Sequence, residues 1–421
     1  MLFNIAAVVG IRWLAAAAQA GAGSIALWLV AAVLFFVPSG LAVATLSSRF
    51  PDEGGIYVWT KRGFGEWHGF LCGWCYWLSN LFYFPNLLLA GVSMAGFTLG
   101  LAEDKAWVLG LSLAILWAAL LANLVGVAVG RWVNNIGGMA TYAAGAMIVA
   151  AGAAAWFRSG TPAAFRILPE WDLGKLNFWS QIAFAFGGLE LGAIMGGEIR
   201  DPARTVPRAA WISGLAIAAF YILGTLSLLA LLPRGPISII NGLVEAGAAA
   251  GARIGSPWIS PLLIALVLAG VAGQLGAWIG ASARLPFVIG LDHYLPPAFA
   301  RLHPRWRTPW ISILAQGGVC TAFLLALQAG ASLRTAYQLL VDMTVITYFI
   351  PFLYLFGVSW RYGRRWSAAS GLTVTALAIV LSAVPPTGSG PAWLFEAKLA
   401  GGCVALIGAA RMVFTTADRR A

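Results

Sequence analysis

One apolar stretch of the chain is interrupted where a membrane helix should run straight through, at Phe184-Ala185-Phe186-Gly187-Gly188-Leu189-Glu190. A second interruption, Ala7-Val8-Val9-Gly10, lies inside the first apolar stretch. Such sequences weaken a helix at a depth where unmet backbone polar groups are tolerated only against protein or a watery cavity. Corresponding breaks in two halves of a membrane protein are typical of a transporter's substrate site. The two stretches therefore predict a binding site built from main-chain groups in mid-membrane.

The composition predicts an all-α polytopic membrane protein. Of the 421 residues, 60% are hydrophobic and only 10% are charged, whereas about a quarter of the residues in an average soluble protein are charged. Many apolar runs reach the roughly 20 residues that a membrane-spanning helix needs. The net charge of +11 is distributed singly or in small groups between apolar runs, as topology determinants are. This distribution argues against a nucleic-acid partner.

The hydropathy pattern predicts twelve membrane helices, which we number spans 1 to 12. They cover about residues 2–20, 24–48, 69–100, 107–129, 135–157, 178–198, 208–232, 258–289, 309–329, 335–359, 367–385 and 391–413. Spans 1–5 (about 1–157) and 6–10 (about 178–360) form two units, each beginning with a broken helix. Because each unit has five helices, the two have opposite topology, as in inverted-repeat transporters. Spans 11 and 12 (about 367–413) are additional, and the whole chain, 1–421, is one transmembrane domain.

The distribution of Lys and Arg predicts that both termini are cytoplasmic. In that orientation 17 basic residues lie in cytoplasmic connections and 8 in outer ones, and such an excess sets orientation. We therefore expect a multi-pass protein of the cytoplasmic (inner) membrane. No basic region precedes the first apolar run, so a cleavable signal peptide is not expected. Met1 lies about one and a half turns before the first break, so either the first half-helix is unusually short or the chain starts downstream of the true start.

The two breaks predict complementary chemistry. A half-helix that begins near Gly10 presents N–H groups and a positive dipole end, which suit a carboxylate. A half-helix that ends near Phe184 to Phe186 presents carbonyl groups, which suit an ammonium group. Together they would bind the two ends of an α-amino acid. The alternative is that Gly187 and Gly188 only allow close helix packing, but the matched break in the other half favours the site.

Three ionisable residues lie inside predicted spans: Arg12, Glu190 and Asp342. Such groups are expensive in hydrocarbon and are functional candidates by default, although internal ion pairs that only hold the bundle together are the alternative. Arg12 would attract the side-chain carboxylate of an acidic substrate, or it would pair with Glu190.

Enzyme, metal and cofactor chemistry are not expected. Cys72 and Cys75 form a C-x-x-C, which is either a redox or metal pair or two small apolar residues on one helix face. The three histidines, His68, His293 and His303, fall in cytoplasmic connections or at helix ends, where we expect them to be solvated. The sequence contains no metal-ligand cluster, phosphate-cradling loop or nucleophile-base arrangement, so it lacks the convergent acid–base set of an enzyme.

Three long segments resemble amino acid permeases of the amino acid–polyamine–organocation (APC) superfamily, and the resemblance extends along almost the whole chain. Span 6 and its tail, FAFGGLELGAIMGGEIRDPARTVPRA over residues 184–209, look like the family's broken helix followed by E-x-x-x-P-x-x-x-x-P-R-A. The connection after span 2 contains a GG-x-Y segment, and residues 273–309 match the family's span 8 and its tail. The matching positions are Gly54, Gly55, Tyr57, Glu198, Pro202, Pro207, Arg208, Trp278, Leu295, Pro296 and Pro309.

The resemblance implies a 5+5 inverted repeat with two added helices. It also implies alternating access around a site between spans 1 and 6, lined by spans 3, 8 and 10. By position, Phe184 takes the place of a gating aromatic and Trp278 that of a second one. Glu190 takes the place of the acid that follows the break.

Two positions depart from the family pattern. Family members carry a glycine-rich G-S/A-G in the first break, where this chain has Ala7-Val8-Val9 followed by Gly10. Proton-coupled members often carry a lysine in span 5, where this chain has Thr141. The first break, together with FFVPSGLAVATLSSRFPDEGG over residues 35–55, looks closer to the glutamate/4-aminobutyrate antiporter branch.

These observations predict a secondary transporter of amino acids or related amines, with the lipid bilayer as its surroundings. Thr141 favours an exchanger over a proton-coupled symporter. The poor first break leaves a third class open, a non-transporting sensor or assembly partner built on a transporter fold. The substrate's identity, the coupling ion and the oligomeric state stay open, because pocket selectivity depends on side-chain geometry at few positions.

Overall fold

The computed structural model describes residues 7–102, 104–159, 176–195, 199, 201–233, 237–328, 333–385 and 392–418, and this part of the chain is helical with no strand. The helices are α1 Arg12–Gln19, α2 Ser24–Arg49, α3 Ile56–Phe64, α4 Glu66–Leu99, α5 Lys105–Val125, α6 Val127–Ser159, α7 Leu176–Phe184, α8 Leu191–Ile194, α9 Pro202–Leu231, α10 Gly242–Ile254, α11 Ile259–Ser282, α12 Arg284–Leu291, α13 Trp310–Gln328, α14 Leu333–Tyr362, α15 Arg365–Ser382 and α16 Ala392–Asp418.

The helices confirm the predicted architecture of an all-α membrane protein. Within the described ranges, 10 helices are long and apolar enough to cross a membrane, and they coincide with predicted spans 2–5 and 7–12. The other two spans are the broken ones. Span 1 is interrupted before α1, and span 6 is divided into α7 and α8.

The connection between predicted spans 7 and 8 contains a further helix. This helix, α10, lies within residues 233–257. This segment is rich in alanine and glycine, so its hydropathy is too weak to mark a helix. Its apolar face is nevertheless buried, with Leu243, Val244 and Ala246 inside the protein, because α10 packs against α11 and α6.

At three prolines inside the membrane helices, a side chain of a neighbouring helix replaces the missing donor. A proline lacks the N–H that would bond the carbonyl one turn earlier, so that carbonyl needs another donor. Pro38, Pro85 and Pro207 each free one carbonyl in this way. Side chains of other helices donate to all three carbonyls: Ser370 Oγ to Leu34 O at 2.7 Å, Cys320 Sγ to Leu81 O at 3.7 Å, and Ser48 Oγ to Ala203 O at 2.8 Å.

Glycines bring α6 into main-chain contact with α11. A Cβ atom on Gly137 would lie 2.8 Å from the carbonyl oxygen of Ala269 and 2.8 Å from the nitrogen of Gly273. Since these neighbours are backbone atoms, they do not move aside easily. Small residues at such interfaces allow the close approach that membrane helices need for packing.

We therefore expect Gly137→Ala to destabilise the fold by about 1–3 kcal/mol through overpacking. Gly318→Ala on α13 is the matched control, because no atom lies within 4 Å of a Cβ built there. Thermal unfolding of the two variants in the same detergent measures the difference. Equal unfolding temperatures for both variants would contradict the close contact between α6 and α11.

Candidate functional site

The two breaks meet at one side chain, Tyr221 of α9. Its hydroxyl accepts from the Gly10 N–H at 3.1 Å and lies 2.9 Å from the carbonyl oxygens of both Val8 and Ala185. The hydroxyl has one proton, so it donates to one of these carbonyls at a time. Trp28 stacks on the Tyr221 ring at 4.4 Å with an interplanar angle of 3°. A rigid, buried phenol thus joins the first break to the second.

Two side chains of α11 cap the remaining carbonyls of the first break. Trp278 Nε1 donates to Ala7 O at 2.8 Å. Gln274 Nε2 lies 3.2 Å from both Ala7 O and Val9 O. All of these donors are uncharged. The Gly10 N–H, which the sequence offers to a carboxylate, is already bonded to Tyr221 in this state.

Glu190 organises the second break. Its Oε1 accepts from Tyr76 of α4 at 2.5 Å and from Tyr348 of α14 at 2.6 Å, and its Oε2 accepts from the Gly188 N–H at 3.2 Å. Gly188 has a φ of 116°, a conformation that side-chain-bearing residues rarely adopt. The buried carboxylate therefore fixes a turn that requires glycine and ties it to two other helices.

An aromatic cage surrounds a small cavity of about 10 Å³ between the breaks. Phe184 is the central ring of this cage. Its ring centroid lies 5.0 Å from that of Tyr348, 5.7 Å from that of Trp13 and 6.0 Å from that of Tyr83. Trp278, the second predicted gating aromatic, lies 5.2 Å from Tyr83. Sites for small molecules measure about 300–1,000 Å³. The structure therefore shows this site closed.

The structure separates the sequence-predicted site residues into several environments. Six of the predicted residues line the central cavity: Ala7, Val8, Phe184, Ala185, Gly187 and Trp278. A second cavity, of about 20 Å³, is lined by Val9, Gly10, Arg12 and Thr141 among others. Phe186 lies elsewhere: it packs against Phe36 at 4.7 Å, Trp28 at 5.4 Å and Tyr221 at 5.5 Å, away from the central cavity.

The intramembrane charges lie apart from one another. Arg12 donates from Nη1 to Asn86 Oδ1 of α4, and its predicted alternative pairing with Glu190 is not present in the described part of the chain. Asp342 is buried on α14 and lines neither cavity. Thr141 is buried on α6 and donates to Gly137 O at 3.0 Å.

Several site residues were not predicted from the sequence, namely Trp13, Tyr76, Tyr83, Tyr221, Gln274 and Tyr348. Their helical spacing is the same as that of ordinary core residues. The polar members, above all Gln274 within an apolar run, carried the only available signal. The C-x-x-C pair, by contrast, consists of buried free thiols on α4.

A larger cavity, of about 260 Å³, lies at the predicted cytoplasmic side. It is lined by residues of α5, α6, α8, α9, α11, α12, α13 and their connections, including Asn123, Asn134 and Arg284. It is far larger than the central cavity but does not touch either break. We therefore interpret it as a vestibule beneath the closed site.

The GG-x-Y segment closes this side by contacting α8. Gly54 N donates to Ile194 O at 3.1 Å, and a Cβ atom on Gly55 would lie 2.9 Å from the Ala193 carbonyl carbon.

The next helical turn is anchored by ion pairs of Lys61 Nζ with Asp292 at 2.9 Å and with Glu66 at 3.1 Å. Burial lowers the pKa of Lys61, but the hydrogen bonds to these carboxylates outweigh it and raise the pKa above its ordinary value. Glu198 lies outside the described residues.

We expect Tyr221→Phe to destabilise the protein by about 1–3 kcal/mol, because it leaves buried main-chain groups of both breaks without their partner. Tyr142→Phe is the matched control, since the buried Tyr142 hydroxyl has no hydrogen-bond partner to lose. Thermal unfolding in detergent compares the two. A loss of stability in Tyr142→Phe as large as that in Tyr221→Phe would contradict the bridging role.

Comparisons with known proteins identify the family. A sequence model described as amino acid permease matches residues 1–390. The chain is 26% identical to "Uncharacterized transporter lpg1691" of Legionella pneumophila, over 97% of this chain and 93% of that protein. It is 29% identical to the serine/threonine exchanger SteT of Bacillus subtilis, over 69% of this chain and 65% of that protein.

The fold is also that of a solved transporter structure. The crystal structure of MhsT in complex with L-phenylalanine superimposes with a TM-score of 0.63 at 14% identity, covering 94% of this chain and 97% of that one. This likeness supports the all-α fold with two broken helices. With the family match over most of its length, the chain belongs to the amino acid permease family and is a multi-pass membrane transporter.

Proposed function

We propose that the protein exchanges amino acids or related amines across the cytoplasmic membrane by alternating access. The substrate binds between the two breaks, inside the aromatic cage around Phe184 and Trp278. Spans 1–5 (about 1–157) and 6–10 (about 178–360) act as the two inverted units, and the vestibule opens to the cytoplasm, where both termini lie. The family and its relatives support transport in general.

The hydrogen bonds at the first break favour exchange over transport coupled to an ion. In transporters with broken helices, unwound main-chain carbonyls coordinate the coupling Na⁺ or H⁺. Here Ala7 O accepts from the Trp278 indole and the Gln274 amide, Val9 O accepts from the same amide, and Val8 O shares the Tyr221 hydroxyl with Ala185 O. These donors stay attached to the protein and carry no charge, so they do not respond to an ion gradient. The driving force is then a second substrate molecule moving the other way.

Glu190 supports the same conclusion. Its two carboxylate oxygens accept from two tyrosines and one main-chain N–H. An acid with three donors around it is held in its position as an acceptor, which suits a structural anchor of the break. Thr141 adds no titratable group at the first break.

Exchange in proteoliposomes tests the proposal. Vesicles are loaded with single unlabelled amino acids, and labelled glutamate, arginine, leucine or 4-aminobutyrate is added outside. We expect uptake only into loaded vesicles, with no dependence on an imposed pH gradient. Uptake into empty vesicles that follows the pH gradient would establish proton symport instead. No uptake from folded protein under any condition would support the sensor or assembly-partner class.

A substitution at the cap sharpens this test. A carboxyl group in place of the Gln274 amide donates to Ala7 O only when it is protonated, so in Gln274→Glu we expect exchange to fall as the pH rises. The wild type, measured over the same pH range, is the control and should change little. A wild type with the same pH profile as Gln274→Glu would contradict an ion-independent first break.

A further inference from the structure

Arg12 is a buried charge with an unused binding edge. It is the first residue of α1 and only 3% exposed. Nη1 donates to Asn86, and the guanidinium lies 4.3 Å from the ring centroid of Trp13 and 5.0 Å from that of Tyr83. Nε and Nη2 have no hydrogen-bond partner, and no ion pair of Arg12 occurs within the described ranges.

This arrangement is incomplete as a resting structure. Arginines inside membrane proteins are rare and are almost always paired, because an uncompensated buried charge is strongly destabilising. Two aromatic faces and one amide oxygen compensate the charge only in part. The missing partner is an anion, and neither Glu190 nor another described carboxylate supplies it.

The free edge has the geometry for a carboxylate. Nε and Nη2 present parallel N–H bonds along one side of the guanidinium plane, and this fork matches the two oxygens of a carboxylate bidentately. The other side of the group is fixed by Asn86, and both ring contacts limit its rotation. The edge is thus oriented before any ligand arrives, which favours a specific anionic group.

The position of Arg12 places this edge at the substrate site. Arg12 lines the cavity of about 20 Å³ together with Gly10 and Gln274. Its two stacking partners, Trp13 and Tyr83, line the central cavity of about 10 Å³. The two cavities adjoin through the first break. A molecule with one end between the breaks and the other on Arg12 would therefore occupy both cavities once they open.

We propose that Arg12 binds the side-chain carboxylate of the transported molecule, so that the substrate class is amino acids with an anionic side chain. This inference rests on the proposed function. The substrate's α-amino and α-carboxyl groups face the breaks, and its second carboxylate pairs with Nε and Nη2. An inorganic anion such as chloride has the same charge and is the alternative ligand of Arg12. The experiment must therefore distinguish a substrate carboxylate from an inorganic anion.

The experiment compares acids with their neutral amides in proteoliposomes. We expect the wild type to exchange L-glutamate or L-aspartate in preference to L-glutamine or L-asparagine. In Arg12→Gln we expect the acid-to-amide ratio of kcat/KM to fall about tenfold or more, because a site built for one hydrogen-bonding group rejects an analogue that cannot pair with it. Arg12→Lys keeps the charge but lacks the fork, so we expect an intermediate ratio.

A measurement on the wild type keeps the inference testable if the variants do not fold. L-Glutamate or L-aspartate should raise the unfolding temperature of the purified protein more than the corresponding amide or sodium chloride does at the same ionic strength. Chloride that stabilises the protein as strongly as the acids, with no acid-to-amide preference in exchange, would overturn the inference in favour of an inorganic anion. Exchange of leucine, arginine or 4-aminobutyrate without exchange of either acid would overturn it while leaving the proposed exchanger intact, whereas no exchange of any substrate would overturn both.

Discussion

The structure depends on one constraint: a main-chain polar group freed inside the membrane must find a partner on another helix. An unmet group costs several kcal/mol in hydrocarbon. Tyr221 meets the groups of both breaks, and Gln274 and Trp278 meet those of the first break. The same constraint explains why neighbouring side chains donate to the carbonyls that helix prolines leave free. Broken segments are thus stable only inside this particular bundle.

The two breaks are supported from different sides. The first is held by side chains of α9 and α11, both of which contact α6 through close glycine packing. The second is held through Glu190 by tyrosines of α4 and α14. Tyr221 spans the two sets. A movement of one helix group against the other would therefore change the hydrogen bonds of this tyrosine.

The helices and the breaks could be predicted from the sequence because both are encoded by neighbouring residues. Apolar length marks a span, and a glycine pair with an acid marks the second break. The partners of the breaks were not found, because each is decided by contacts across the chain, as between Gly10 and Tyr221, 211 residues apart. A position within the break does not by itself place a side chain at the site. Phe186 lies within the second break, yet its ring packs into the core against Trp28.

The same geometry connects the site to the contact between α8 and the GG-x-Y segment. Glu190 precedes α8, which has only four residues and is therefore about 6 Å long. The break at Glu190 is therefore joined to Ile194 by a single helical turn. Ile194 O accepts from the Gly54 N–H, and a Cβ atom on Gly55 would lie 2.9 Å from the Ala193 carbonyl carbon. Because the neighbours of Gly55 are backbone atoms, a larger residue at this position would force α8 away from the GG-x-Y segment. The second break is thus linked to that segment through main-chain contacts alone.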